Sequence, residues 1–117
     1  MGYYSDFTIE TRTFCSAETM RRVCQRINET IDMSITPFSY FELNDNIRDE
    51  EEGCWEVKAW EMKWYDWEED MGNISKEFPD IEFGVEKIGE DHDDWYYGLF
   101  KNGKSKLNQC SAPLREW

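Results

Sequence analysis

Two segments of the chain space their apolar residues as one face of an α-helix does, and this double pattern limits the fold to one that packs two helices. Apolar residues recur at offsets 0, 3, 4, 7 and 11 in the first segment and at 0, 4, 7 and 11 in the second. Such a stripe is typical of a helix with one side on a hydrophobic core. The two stripes comprise Met20, Val23, Cys24, Ile27 and Ile31, and Trp67, Met71, Ile74 and Phe78.

The residues that flank the two stripes favour helix ends. Ser16 is a good N-cap, so we expect the first helix to begin there and to run to about Ile31. Asp66 and Glu69 form a variant of the capping box at the start of the second helix. Pro79 ends that helix, because proline lacks the N–H that a further helical turn needs.

The segments outside the helices alternate apolar and polar residues or are rich in β-branched and aromatic residues, which predicts strands. Asn102-Gly103 is the strongest short signal for a two-residue β-hairpin turn, because both positions tolerate positive φ. The predicted strands are Tyr4–Phe14, Phe38–Leu43, Cys54–Trp64, Ile81–Glu86, Trp95–Lys101 and Lys104–Leu107.

The resulting order, β-α-β-β-α-β-β-β, predicts the fold class. Strands without crossover helices between each pair favour an antiparallel sheet, and two amphipathic helices cover one face of it. We therefore expect an α+β fold, a ferredoxin-like antiparallel sheet with two helices on one face and an added C-terminal hairpin. A chain of 117 residues is expected to form one domain over residues 1–117.

The third predicted strand has large apolar residues on both of its faces. A regular strand would bury one row and expose the other. A β-bulge near Ala59, or burial on both faces, would bring both rows inside. The two rows are Trp55, Val57 and Ala59, and Trp60, Met62 and Trp64.

The formal net charge is −13, and it is concentrated in one segment. Residues 49–94 hold eighteen acidic and four basic residues, whereas residues 95–117 hold one acidic and four basic residues. Four of the six tryptophans lie in the acidic segment, and Trp95 follows it directly. Acidic residues beside exposed aromatic side chains predict a surface that binds a basic partner. The alternative is an acidic surface that only keeps a small protein soluble.

Composition argues against several other classes of protein. No apolar segment approaches the roughly 20 residues of a membrane span, and the N-terminus lacks the pattern of a secretory signal. We therefore expect a cytoplasmic protein with reduced cysteines. Direct binding of nucleic acid is disfavoured, because the aromatic residues lie mainly among acids. One histidine and four cysteines without a CxxC pair do not form a zinc pattern, so we expect neither a metal nor another cofactor.

Several short motifs in the second half carry a resemblance to a known family. They are Lys63-Trp64-Tyr65-Asp66, Ile74-Ser75, Phe78-Pro79-Asp80, Phe83, Gly89-Glu90, Asp94-Trp95 and Phe100-Lys101-Asn102-Gly103-Lys104. About residues 54–106 resemble small proteins of bacteriophages and bacteria that carry a YubB-like ferredoxin-fold domain. The resemblance implies the fold and a phage or prophage accessory protein, and it implies no reaction. The turn Glu90-Asp91-His92-Asp93 departs from it by being more acidic.

That acidic turn is the first candidate for chemistry. It offers several oxygens to a hard cation but lacks the ordered spacing and the glycine of a calcium loop, so a solvated turn is expected. His92 beside Asp94 could act as a general base in an enzyme. No serine or cysteine in a recognisable nucleophile elbow accompanies the histidine, and we expect a protein that is not an enzyme.

The leading hypothesis is a small acidic binding protein of phage or prophage type in the host cytoplasm. It would inhibit a basic host defence protein that itself binds nucleic acid, and imitation of the DNA backbone is the sharper form of this hypothesis. The acidic residues expected to bind the partner are Glu50, Glu51, Glu52, Glu68, Glu69, Asp70, Asp91, Asp93 and Asp94, with Trp55 and Trp95 as apolar anchors.

A second hypothesis is a small-ligand binder or sensor. Ligand pockets are mostly apolar and aromatic with a few polar groups. In this chain the pocket would be lined by Trp60, Trp64, Tyr96 and Tyr97.

Overall fold

The computed structural model describes residues 4–31, 54–90 and 94–109. In this part of the chain five strands form one sheet in the order β2-β1-β3-β4-β5, and every neighbouring pair is antiparallel. The predicted α+β class is therefore confirmed. The elements are β1 (Ser5–Thr11), α1 (Ala17–Thr30), β2 (Glu56–Met62), α2 (Trp67–Glu77), β3 (Phe83–Gly89), β4 (Trp95–Lys101) and β5 (Lys104–Gln109).

Both predicted helices are present, but their N-termini differ. Ser16 Oγ accepts a hydrogen bond from the backbone N–H of Thr19 at 3.1 Å, which satisfies one of the unpaired donors of the first turn of α1. Asp66 stands at the N-cap of α2, yet its side chain makes no capping hydrogen bond, so the expected capping box is wrong. Acids in the first turn of α2 still stabilise it through the helix dipole.

The helices pack on the same face of the sheet and form one hydrophobic core with it. Val23 and Ile27 of α1 and Met71 of α2 are fully buried against strand residues such as Phe7. The Phe7 ring lies 5.1 Å from that of Trp64, measured between centroids. Residues at alternate positions of each strand project to the other side, which we call the second face of the sheet.

A β-bulge in β2 resolves the two apolar rows of that strand. Ser5 pairs with Met62 and Phe7 pairs with Ala59, so two steps along β1 match three along β2. Glu61 takes up the extra residue with a φ of 57°. Of the two alternatives that the sequence left open, a bulge near Ala59 is the one observed, and it lies two residues further along the chain.

The bulge brings the end of β2 back to the core but leaves Trp60 exposed. Trp60 precedes the extra residue, so ordinary alternation with the buried Ala59 places it on the second face, where it is 61% exposed. The extra residue, Glu61, then returns Met62 to the core side. The bulge is held by Asp6, whose Oδ1 accepts a hydrogen bond from the backbone N–H of Glu61 at 2.9 Å. The other residues of both rows are buried: Trp55, Val57, Ala59, Met62 and Trp64.

The predicted hairpin turn is present between β4 and β5. Asn102 has a φ of 50° and Gly103 a φ of 83°, the two positive values of a type I′ turn. The turn also docks on α2, because Ser75 Oγ accepts a hydrogen bond from the Gly103 N–H at 2.8 Å. Ser75 in turn donates to the Gly72 carbonyl at 2.7 Å.

Replacing Gly103 with valine is expected to lower the free energy of unfolding by about 1–2 kcal/mol, because a side chain at positive φ meets the backbone. A Cβ at this position would also lie 2.8 Å from Cε of Lys76. Urea denaturation measures the effect. Asn102→Gly is the control, since it relieves a positive φ and should cost nothing. An unchanged midpoint for Gly103→Val would contradict the turn.

The finer ferredoxin-like topology is not established by these elements. The observed strand order differs from that of a four-stranded ferredoxin-like sheet. The predicted strand Phe38–Leu43 lies outside the described residues. No helix in the described ranges is long and apolar enough to span a membrane.

Candidate functional site

The antiparallel topology brings two acidic segments to one end of the sheet. Ser5, at the start of β1, pairs with Met62 at the end of β2 and with Gly89 at the end of β3. Since α2 begins shortly after β2 and the acidic turn follows β3, the first turn of α2 and the flanks of that turn lie at the same end. We call this region the acidic end; it comprises Glu68, Glu69, Asp70, Glu90 and Asp94.

Short contacts tie the acidic end together across the sequence. Lys63 Nζ lies 5.0 Å from the centre of the Tyr4 ring, and the Tyr4 backbone N–H donates to Glu90 Oε2 at 2.7 Å. On the other side of the turn, Lys87 Nζ lies 3.1 Å from Asp94 Oδ1. Residues next to β2 and residues next to β3 therefore share one surface around the start of β1.

The acidic residues of the acidic end differ in their exposure and in their contacts. Asp94 has a side chain only 17% exposed and is paired with Lys87, so its role is to hold the start of β4. Asp70 Oδ2 accepts a hydrogen bond from Trp64 Nε1 at 2.8 Å and so orients a core side chain. Glu68 and Glu69 are exposed in the first turn of α2. These two are the acids best placed to contact a partner.

Two exposed aromatic side chains lie toward the same end of the sheet as the acidic end. Trp60, at the bulge, is 61% exposed, and Tyr65, in the turn before α2, is 60% exposed. Large exposed aromatic rings next to charge are typical of the anchor residues of interfaces. Our sequence analysis did not assign Trp60 or Tyr65 to a protein-binding surface. The sequence signal that could have identified Trp60 was the presence of large apolar residues on both faces of the predicted strand, since a regular strand would expose one of the two rows.

Trp55 is not an anchor, which corrects the expectation from sequence. It is 5% exposed, and its Nε1–H donates to the Cys15 carbonyl at 2.9 Å. Its backbone N–H is bound as well, by Thr11 Oγ1 at 2.8 Å. A ring that is satisfied inside the core cannot reach a partner without unfolding this edge of the protein.

Trp95 is half-buried on the second face of the sheet, where its Nε1–H donates to Glu86 Oε2 at 2.8 Å. Part of its ring remains accessible, so its role as an anchor stays a prediction. Five predicted acids and the histidine lie outside the described residues and also stay predictions: Glu50, Glu51, Glu52, Asp91, Asp93 and His92.

The predicted aromatic pocket is not formed as one cavity. Trp64 packs in the core on the helix side, and Tyr96 packs against the same core. Tyr97 projects to the second face, as its register with Glu86 requires. Trp60 is exposed near the end of strand β2. The four rings are therefore divided between the two faces of the sheet.

Tyr97 instead belongs to a polar depression on the second face. The depression has a volume of about 270 Å³. Tyr97 Oη donates a hydrogen bond to Glu10 Oε2 and accepts one from Arg12 Nη1 at 3.1 Å. Arg12 Nε also lies 3.4 Å from Glu82 Oε2. The lining residues are Thr8, Glu10, Arg12, Glu56, Glu86 and Tyr97.

The phenol of Tyr97 lies over a residue without a side chain. A Cβ on Gly84 would collide with Tyr97 Oη and would lie 2.8 Å from Glu10 Oε2. The network joins residues from β1, β3 and β4, so sequence spacing alone could not reveal it. Burial, and after it the hydrogen bond to Glu10, raises the pKa of Tyr97 to about 12, although Arg12 acts in the opposite direction.

Tyr97→Phe is expected to cost about 1 kcal/mol at neutral pH, the usual contribution of a hydrogen bond. The folded pKa of about 12 exceeds the ordinary value of 10.0. The stability that the neutral phenol contributes is therefore complete below pH 10 and is lost as the pH rises toward 12. Urea denaturation of both proteins over this range should show the difference in stability shrinking. A constant difference would contradict the raised pKa.

The described cysteines are free thiols. Cys15 and Cys24 are buried, and Cys54 is half-buried. Desolvation raises the pKa of the Cys15 thiol, which keeps it protonated and unreactive. Within the described ranges no group of three histidine, cysteine or acidic residues is arranged to hold a metal ion.

Comparison of the chain with protein-family models, with curated proteins and with solved structures finds no match. The resemblance to YubB-like proteins therefore stays a prediction that rests on the short motifs quoted above.

Proposed function

We propose that this chain is a small acidic binding protein, not an enzyme, that occupies a basic surface of a host protein. The observation that carries the proposal is the acidic end, where the exposed acids Glu68 and Glu69 stand at the same end of the sheet as the exposed rings of Trp60 and Tyr65. Acids supply long-range attraction, and buried aromatic rings supply most of the affinity in protein interfaces.

The net charge of the whole chain supports these separate roles of the acids and the aromatic rings. A net charge of −13 on 117 residues attracts a basic partner over a distance set by salt. The Debye length falls from about 30 Å at 0.01 M salt to about 8 Å at 0.15 M. Association is therefore expected to be fast in low salt and to slow as salt rises, while dissociation depends mainly on the aromatic contacts.

The identity of the partner is the more specific part of the proposal. The motifs that resemble YubB-like phage and bacterial proteins motivate a ferredoxin-like fold with an added C-terminal hairpin, and a role in the host cytoplasm. A basic host defence protein that binds nucleic acid fits the charge. If the acidic end imitates DNA, duplex DNA must compete with this protein for the partner, and simultaneous binding of both would exclude mimicry.

The double variant Glu68→Lys/Glu69→Lys is expected to capture its partner at least about tenfold more slowly in low salt, because rim charges act on the association rate. It should lose about 1–2 kcal/mol of stability through the helix dipole and still fold. Immobilised protein would be exposed to bacterial lysate at about 0.01 M and 0.15 M salt. Bound proteins would be quantified by mass spectrometry, and the association rate of any protein retained would then be measured with purified components.

The matched control is Glu18→Lys/Asp80→Lys, which changes the net charge equally at exposed positions outside the acidic end. Capture by this control at the wild-type rate, with slow capture by the first variant, supports the proposal. Equal rates for both variants and the wild type would mean that Glu68 and Glu69 only keep the protein soluble.

A second candidate function, binding of a small polar ligand, is favoured by the depression around Tyr97. Its hydroxyl, carboxylate and guanidinium groups converge on one space of about 270 Å³. Native mass spectrometry of protein purified without denaturant would show added mass that Tyr97→Phe loses. Identical masses before and after denaturation would remove this candidate.

A further inference from the structure

The last strand of the sheet exposes all of its residues. Strand β5 pairs with β4, and within the described part of the chain it is the end strand on that side. All six of its residues are exposed. An exposed edge offers unpaired backbone groups to another chain and is either protected or used.

The hairpin register shows which backbone groups face outward. Lys101 and Lys104 close the two-residue turn and form a hydrogen-bonded pair. Hydrogen-bonded pairs alternate along an antiparallel ladder, so Ser105 and Leu107 direct their N–H and C=O groups away from β4. Among the described residues no backbone hydrogen bond reaches Ser105 or Leu107 from another element.

The side chains of this edge are basic on one face and partly apolar on the other. Lys101, Lys104 and Lys106 belong to the second face of the sheet and border a depression of about 300 Å³. Leu107 belongs to the helix side, where its Cδ1 lies 3.0 Å from the position that a Cβ of Gly98 would take. A strand that pairs with this edge thus meets positive charge on one side and a leucine on the other.

The charge pattern selects the occupant. A second copy of the chain, paired antiparallel along the same edge, would place lysines close to lysines, and like charges across strands are destabilising. An acidic strand gains from the same positions. Residues 95–117 carry a net charge of +3, opposite to the rest of the chain, so this edge attracts acids despite the overall charge.

We infer that β5 is a docking edge for an extended acidic peptide of a partner protein, which adds to the sheet as a further strand. Its backbone bonds to Ser105 and Leu107, its acidic side chains face Lys104 and Lys106, and the alternate side chains face Leu107. This edge lies at the opposite side of the sheet from β2 and does not depend on the acidic end or on the function proposed for it.

The test uses a fluorescent heptapeptide of alternating glutamate and valine, titrated into the full chain at low salt. Lys104→Glu is expected to raise its Kd about fivefold, as reversal of one cross-strand charge pair does. Lys58→Glu is the matched control, because Lys58 is exposed on the distal strand β2 and its reversal should leave the Kd unchanged. NMR should show that the amide hydrogens of Ser105 and Leu107 exchange with solvent more slowly in the presence of the peptide than in its absence.

A second peptide, methylated at alternate backbone nitrogens, tests the pairing without altering the protein. Methylation of the bonding edge of the peptide should abolish binding, while the charge stays the same. Equal Kd values for Lys104→Glu and Lys58→Glu, tight binding of the methylated peptide, or unchanged exchange at Ser105 and Leu107 would each overturn the inference. So would self-association through β5 that the acidic peptide fails to reverse.

Discussion

Replacing Val23 with aspartate is expected to unfold the protein. Val23 is fully buried in α1 and belongs to the hydrophobic core, with Met20 and Ile27 on the same stripe. An unpaired carboxylate in such a core costs several kcal/mol, which is comparable to the whole stability of a small domain. Circular dichroism should show no cooperative thermal transition for this variant.

Two companion variants separate the charge from other effects. Val23→Ala should lose about 1–3 kcal/mol through the cavity alone and should still fold. Gln25→Asp places the same aspartate on the exposed side of α1, where it should cost less than about 1 kcal/mol. A cooperative transition of Val23→Asp at the wild-type temperature would refute the packing of α1.

Replacing Gly84 with alanine is expected to lower the free energy of unfolding by about 1–3 kcal/mol, the usual cost of an added methyl in a filled space. The new Cβ would collide with Tyr97 Oη, so the phenol must leave its position between Glu10 and Arg12. Urea denaturation measures the loss. The tyrosinate absorbance should also appear at lower pH, because the displaced phenol is no longer shielded from water.

Gly72 supplies a control of the opposite sign. A Cβ at Gly72 would meet nothing within 4 Å, and the residue lies inside α2. Gly72→Ala is therefore expected to raise stability by about 0.5–1 kcal/mol, since alanine favours the helix more than glycine does. If Gly84→Ala and Gly72→Ala shifted stability in the same direction, the close approach of Tyr97 to Gly84 would be wrong.

Local sequence patterns were sufficient to predict the helices, the strands and the hairpin turn in the described part of the chain. The stripes of α1 and α2, the alternation in β3 and the Asn102-Gly103 turn depend on residues a few positions apart, and all were predicted. Some predicted element boundaries differ from the observed ones where long-range contacts are involved. We predicted the first strand to reach Phe14, but it ends at Thr11. Just beyond the strand, the Arg12 N–H donates a hydrogen bond to the Glu82 carbonyl at 2.8 Å.

The candidate site was predicted only in part. Charge density in the sequence identified Glu68, Glu69 and Asp70, but it could not show that Asp70 is engaged by Trp64 or that Asp94 is engaged by Lys87. Trp60 and Met62 would share one face of a regular strand, yet Trp60 is exposed and Met62 is buried. One extra residue in β2, Glu61, separates them, because a strand has a period of two and a single insertion exchanges its faces.

The sequence by itself determined the α+β class, both helix faces and the hairpin turn, since these follow from the period of the backbone and from allowed φ angles. The tertiary structure alone decided which distant residues meet. Strand order and direction place the start of α2 at the same end of the sheet as Glu90 and Asp94, and they bring Tyr97 to Glu10 across β3. These long-range contacts depend on packing energies summed over the whole core, and a short segment of the sequence does not contain that information.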